Sequence, residues 1–459
     1  MLKELLGPDI QDLIREKDYS ALKHGITEWE APEIADLLVS LPESDQPILF
    51  RLLPRTIAAQ VFAYLPSEEQ EHLLQSLTTE NTRVLLSELA PDDRTELFGE
   101  LPAQVTQQLL SLLPPKELKE ARQLLGYPEE SVGRLMTPEY VAIRPEWTIG
   151  KALEHLRKHG KDAETVNLVY VVDDKGKLID DIRLRKLILA DPSEAVATVM
   201  DHHFVALSAH DDREFAAKQM QKYDRVALPV TDSDGVLLGI VTVDDMLDVV
   251  EEEATEDIQK MAAVEALDEP YMNTSFLHMI KKRAGWLSLL FLGETLTAAA
   301  MGYFEGEIER AVVLAMFIPL IISSGGNSGS QAASLVIRAM ALEEIRLSDW
   351  WRVMRREIFS GLTLGIILGA IAMLQVLLWP NRDERYGEHF FLVGLTVSFS
   401  LVGVVLWGTL TGSMLPFILR RLGFDPAVSS APFVATLVDV TGLIIYFTMA
   451  LFILGGTLL

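Results

Sequence analysis

The sequence predicts a multidomain membrane protein: an all-α superhelical N-domain, a duplicated α/β region, an acidic connecting helix and an α-helical transmembrane domain of five helices. Three observations predict it. Prolines recur at regular spacing through the first 128 residues, residues 131 to 250 contain an internal echo, and five long apolar stretches follow residue 281. Charge divides the chain the same way. The formal net charge is −26, yet from residue 271 onward 13 Lys plus Arg face 13 Asp plus Glu, so the imbalance of 27 basic against 53 acidic residues lies in the first 270. No nucleic-acid partner is expected. The absence of cysteine excludes disulfides and thiolate metal sites. The opening MLKELLGPDIQDLIREKD has no apolar core of signal-peptide length, so the front part is expected to be cytoplasmic.

Region by region, Leu-Pro or Ala-Pro recurs at Pro42, Pro54, Pro66, Pro91, Pro102 and Pro114, at multiples of about 12 residues. Proline costs nothing at the first turn of a helix, where its missing N–H would be unpaired. Each proline is therefore expected to start a short helix of a solenoid spanning 1–128. Acids just after the prolines, as in PSEEQ and PDDRTE, suit helix N-termini. In 129–250, LMTPEYVAIR…NLVYVVDDKGKLIDDIRLRKLI is echoed by TVMDHHFVAL…RVALPVTDSDGVLLGIVTVDDML. Each copy reads strand, helix, apolar strand, glycine turn, strand, helix. This repeat resembles a tandem pair of cystathionine-β-synthase-type (CBS) domains, with turn glycines at Gly176 and Gly235. The resemblance implies a site for an adenine nucleotide such as ATP, with its ribose at Thr242 and Asp245, a Thr-x-x-Asp element that the first copy lacks.

The apolar stretches run about 284–304, 311–337, 357–379, 390–419 and 431–457, each near or above the roughly 20 residues a membrane helix needs. Five spans put the termini on opposite sides. With the N-terminus inside, Lys281, Lys282, Arg283, Arg338, Arg346, Arg352, Arg355, Arg356, Arg420 and Arg421 face the cytoplasm, and only Arg310, Arg382 and Arg385 lie outside. The chain is thus expected to sit in the plasma (inner) membrane with its C-terminus outside.

Between these parts, running from the end of the second copy into a connecting helix placed at 251–280, lies an acidic run. Asp248, Glu251, Glu252, Glu253, Glu256 and Asp257 carry six carboxylates in ten residues. On a helix their i, i+4 pairs repel by roughly 0.2–0.5 kcal/mol each. A solvated helix tolerates this; packed against another acidic surface it calls for cations, and hard oxygen ligands suit Mg2+ or Ca2+. His155 and His159 have i, i+4 spacing, for which a solvated helix face is the simpler reading, and His202 and His203 would point to opposite sides of a strand. No phosphate-binding loop and no nucleophile-elbow motif occurs.

Two features of the spans carry chemistry. PLIISSGGNSGSQAAS, residues 319–334, places a polar, glycine-rich stretch at a depth where backbone left unsatisfied is penalised. Small residues explain close helix packing, but not Asn327 beside them. Asp439 is the lone charge of the last span, about 12 Å from its start at 1.5 Å per residue. Intramembrane charge is costly and normally lines an interior cavity or ion path; a protonated structural aspartate is the alternative. Glu294 is a second intramembrane acid, for which helix–helix hydrogen bonding and transport remain open.

SSGGNSGSQ, RRLGFDPA and VATLVDVTG, with the solenoid, the CBS pair and the acidic helix, resemble the MgtE family of magnesium channels over essentially the whole chain. That resemblance implies a homodimer in a lipid bilayer with a pore on its axis. It implies pore positions at Asp439, Asn327, Pro432, Gly442, Ser323 and Ala431. It also implies closure by cytosolic Mg2+ at Asp92, Glu96, Asp212, Glu214, Asp224, Asp245, Asp248, Glu253, Glu256, Asp257 and Asp425. Some members carry asparagine just before the proline matching Pro432; this chain has Ala431 and lacks that side-chain ligand. Competing readings are a proton- or sodium-coupled carrier of another divalent ion, told apart by current without either gradient, and a membrane sensor or enzyme, told apart by ligand binding or hydrolysis without flux.

Overall fold

The computed structural model describes residues 2–26, 29–267, 271–272 and 274–458, in two compact units, Met1–Glu251 and Glu252–Leu459. Helices Leu2–Glu16, Tyr19–Ile26, Ala31–Ser40, Gln46–Phe50, Arg55–Ala63, Ser67–Ser76, Thr79–Glu88, Pro91–Glu100, Ala103–Leu110 and Pro115–Leu124 open the first unit. Their buried faces join in one core that includes Leu37, Leu49, Phe62, Leu73, Leu86 and Phe98. The prolines stand one position earlier than the sequence suggested. Pro54, Pro66, Pro102 and Pro114 are N-cap residues with φ between −60° and −54°, and only Pro91 of the recurring set opens a helix from inside. The ring-locked φ fits an extended cap as well as a helical residue.

The duplicated region forms two three-stranded sheets. In the first, β1 (Ala142–Ile143) pairs parallel to β2 (Leu168–Val172), which pairs antiparallel to β3 (Leu178–Arg183). In the second, β4 (Leu207–Ser208), β5 (Ala227–Thr231) and β6 (Leu237–Thr242) repeat that order and direction. The hairpin turns are built alike. Asp173 Oδ1 accepts from the N–H groups of Lys175 and Lys177, and Asp232 Oδ1 from those of Asp234 and Val236. Gly176 and Gly235 follow at φ +82° and +81°, which L side chains rarely adopt. The copies also bond to each other, Leu178 N–H to Gly235 O and Leu237 N–H to Gly176 O, both at 3.0 Å.

The connecting helix differs in extent from the sequence reading. It runs Val243–Met261, starting directly after β6, and the first membrane helix begins at Phe276. Five helices long and apolar enough to cross a membrane follow among the described residues: Phe276–Tyr303, Val312–Ala341, Leu347–Leu378, Phe390–Arg421 and Ala431–Leu454. The fourth span is central and packs on the second, third and fifth. Glycine makes this approach possible: a Cβ on Gly365 would lie 2.8 Å from Val402 Cα, and one on Gly408 or Gly412 would run into the Gly325 or Gly329 carbonyl of the second span. The first span packs chiefly on the fifth, with only 6% of its apolar window buried within the chain.

Candidate functional site

Three spans meet at Asp439. The Cβ position of Gly326, in the second span, lies 3.7 Å from Asp439 Oδ1, so the absent side chain leaves the carboxylate room beside the helix backbone. On the first span, Glu294 brings its carboxyl within hydrogen-bonding reach of that of Asp439. Asp439 is half-buried and Glu294 exposed. One position along the second span, Asn327 donates through Nδ2 to Ser323 Oγ at 3.3 Å, and both residues lie on an exposed face. At the start of the fifth span the Ala431 carbonyl accepts from Ser330 Oγ at 3.1 Å, and the Pro432 carbonyl accepts from Thr436 Oγ1 at 3.1 Å. Gly442 is buried, and a Cβ there would come within 3.2 Å of Val404. In this chain it serves close packing on the fourth span.

The first unit holds a second concentration of acid. Helix Pro91–Glu100 is fixed by Arg94, 1% exposed, which donates to the carbonyls of Leu86 and Leu89 and to Glu120 Oε2. Its first turn sets Asp92 and Asp93 among Glu164, Asp244 and Asp245. Burial, then the neighbouring Asp245, Asp93 and Glu164, push Asp92 well above the usual carboxylate range. Burial first and Glu164 next push Asp93 up to about 6. Burial also raises Asp245 to about 7, with Asp244 and Asp93 adding to it and the hydrogen bond from Thr242 opposing it. Such a surface gains from any cation that enters it.

On the second unit, Lys260 at the end of the connecting helix lies 2.6 Å from Glu256 Oε1 and 2.8 Å from Asp425 Oδ2. Burial alone would lower the ammonium, but the hydrogen bonds to Asp425 and Glu256 outweigh it and hold Lys260 above the usual lysine range. Asp425 also accepts from the Ala427 N–H at 2.8 Å, capping the turn before the fifth span.

Comparison with known proteins follows this division. A family model described as a divalent cation transporter matches residues 318–449, one described as the MgtE intracellular N domain matches 29–130, and CBS domain models match 132–192 and 196–252. Magnesium transporter MgtE of Thermus thermophilus is 40% identical over 452 residues, 98% of either chain. The chain belongs to the MgtE family of magnesium transporters. Magnesium transporter MgtE of Enterococcus faecalis is 36% identical across 73% of this chain and 72% of its own. A crystal structure of the cytosolic domain of the Mg2+ channel MgtE in complex with ATP matches with 38% identity and a TM-score of 0.51, covering 53% of this chain and all of its own. With that membership, the five apolar helices make this a multi-pass membrane protein.

The residues that the sequence marked as Mg2+ sensors stand on several elements of the two units. Asp92 and Asp245 come together; Glu96 is exposed on the same helix as Asp92. Asp212 caps the helix Arg213–Lys222, accepting from the Glu214 and Phe215 N–H groups, while Glu214 pairs with Lys218 at 2.6 Å. Asp224 stands at the rim of a cavity of about 620 Å3. Asp248, Glu253 and Asp257 lie on the connecting helix, and each of them, like Glu96 on its own helix, has an interaction partner. Among the described residues no three His, Cys, Asp or Glu side chains are arranged to hold a metal ion. His155 and His159 are in ring contact with each other, 4.2 Å between centroids.

Thr242 Oγ1 donates to Asp245 Oδ2 at 2.8 Å, in the midst of the acidic group. Anion-friendly groups stand elsewhere: Arg183, Arg185 and Arg225 line the 620 Å3 cavity with Asn167 and Asp224. Sequence reasoning passed over Asp93, Asp244, Glu164 and Lys260. Asp93 and Asp244 adjoin named residues and were within reach; Glu164 enters only through folding of the first copy. Lys260 is the lone base after a run of acids, which was a usable signal.

Proposed function

We propose that this chain is a Mg2+-selective channel mediating magnesium influx as a homodimer, with a cytoplasmic N-terminus and an external C-terminus, closed by cytosolic Mg2+ between its acidic regions. The approach of Asp439 to Gly326, the residue before Asn327, carries the reading: a carboxylate within a span, beside bare helix backbone, suits a hydrated cation. Mg2+ gives up its water reluctantly and is commonly held through it by one or two carboxylates. Asp439 supplies the charge, and the Asn327 amide and the carbonyls near Pro432 accept hydrogens from coordinated water. Influx follows the membrane potential at about 2.3 kcal/mol per charge per 100 mV. Membership in a family whose curated relatives are named magnesium transporters supports the ion. The test is current through purified protein in planar bilayers without a proton or sodium gradient. Wild type should conduct Mg2+ and Asp439→Ala should not, while eluting as the same oligomer; wild-type flux in the variant would remove Asp439 from the path.

Closure rests on the Asp92–Asp93–Asp245 group and the connecting helix, where each Mg2+ relieves repulsion. An adenine nucleotide bound to the CBS pair is a second part of the reading, favoured by the arginine-lined cavity and by the relative solved with ATP. Its test is ATP binding by calorimetry to wild type and to Arg183→Ala, which should bind more weakly.

A further inference from the structure

We propose that Glu294 of the first span is a second carboxylate of the ion path, acting with Asp439 on the same hydrated divalent cation; this rests on Asp439 lying in that path. The packing fixes its position. The first and fifth spans touch at Trp286 and Phe433, whose rings lie 6.5 Å apart edge to face. They also approach closely at Gly293, where a Cβ would stand 2.6 Å from Thr436 Cγ2. With glycine pressed on the fifth span, the next residue falls beside Asp439, three positions after Thr436 and on the same side of its helix. The place of Glu294 beside Asp439 is therefore set by a close helix–helix contact, not by a chance side-chain conformation.

Its chemistry points to a cation. Two carboxyls close together within a membrane span are costly unless something positive or a proton lies between them, and Glu294 is otherwise exposed. Among the described residues no lysine or arginine is paired with either acid. One turn further on the same flank, Thr297 is 8% exposed and its hydroxyl has no hydrogen-bond partner among the described residues. That flank holds more polar atoms than its neighbours satisfy, and water around an ion would satisfy them. A second carboxylate adds attraction for a double charge without requiring the ion to shed water.

The two roles separate under an isosteric change. Glu294→Gln keeps the shape and a hydrogen bond to Asp439 but removes the charge. As a path carboxylate, its loss should raise the half-saturating Mg2+ concentration for current about tenfold, the factor equivalent to about 1.4 kcal/mol, and raise Na+ permeability relative to Mg2+. Wild-type saturation and selectivity would reduce Glu294 to a helix-packing group and overturn the proposal. Asp439→Asn in parallel tests the parent reading: if it leaves Mg2+ current intact the ion path lies elsewhere, whereas its loss with an unaltered Glu294→Gln refutes only Glu294. A folding defect is met by a second readout. The chain has no cysteine, so Glu294→Cys can be probed alone with a charged, water-soluble thiol reagent in reconstituted protein. Modification that blocks current and is slowed by Mg2+ supports a water-filled path; a thiol inert in the membrane and reactive only in denaturant overturns it.

Discussion

At the scale of single residues, the membrane unit depends on what glycine leaves out. Gly325 sits where a Cβ would be 2.5 Å from Val404 and 2.7 Å from Val438, so the second span touches the fourth and fifth only because that carbon is absent. Gly408 is the reciprocal contact. Gly408→Ala is expected to destabilise the unit by about 1–3 kcal/mol, the usual cost of overpacking a filled interior. A lower melting temperature in detergent checks it; an unchanged one would mean the spans can slide apart at no cost.

At the scale of elements, two contacts concentrate charge. Helix Pro91–Glu100 meets the CBS pair through carboxylates that burial raises, Asp93 to about 6 and Asp245 to about 7. Groups raised in the fold stabilise it below their unfolded pKa of about 3.9, and that contribution is lost as pH rises through the folded values. In Mg2+-free buffer, resistance of this contact to proteolysis should therefore fall between about pH 4 and 7. Millimolar Mg2+ should restore it at neutral pH; equal cleavage across that range would refute the acidic contact. The second contact is the Lys260 bridge. Lys260→Met leaves Glu256 and Asp425 facing without a cation, so open probability at low Mg2+ should rise, by a few-fold only because the groups are 28–36% exposed and screened. Lys260→Arg should stay near wild type. Single-channel recording decides between the bridge and a surface pair of no consequence.

For the whole molecule, the −26 charge is an opposing force that Mg2+ can offset. Closure by linkage requires Mg2+ to bind the closed arrangement better than the open one. Moving the equilibrium from 1:99 to 99:1 takes about 5.5 kcal/mol, more than a single exposed site supplies, so several ions must share it. Neutralising Asp248, Glu253, Glu256 and Asp257 together is expected to flatten the dependence of open probability on cytosolic Mg2+, whichever way basal opening moves. A midpoint and steepness equal to wild type would make the connecting helix a plain linker.

The sequence by itself determined the architecture and pointed to Asp439. Span length, the proline spacing and the repeated strand–turn–strand pattern are local properties, and a charge in an apolar run stands out without any fold. It also marked Asn327, Ser323 and Glu294, but left open what Glu294 touches. Only tertiary structure decided that, because Gly293 sets the register between two spans separated by more than a hundred residues of sequence. The same holds for the acidic group: Asp92 and Asp245 are unremarkable surface acids until the chain brings them together, and burial, which shifts their protonation, exists only in the fold. Thr242 and Asp245 show the converse. A ribose-binding pattern was legible, but the acids around it and the arginine-lined cavity that favours phosphate elsewhere come from segments the pattern does not contain.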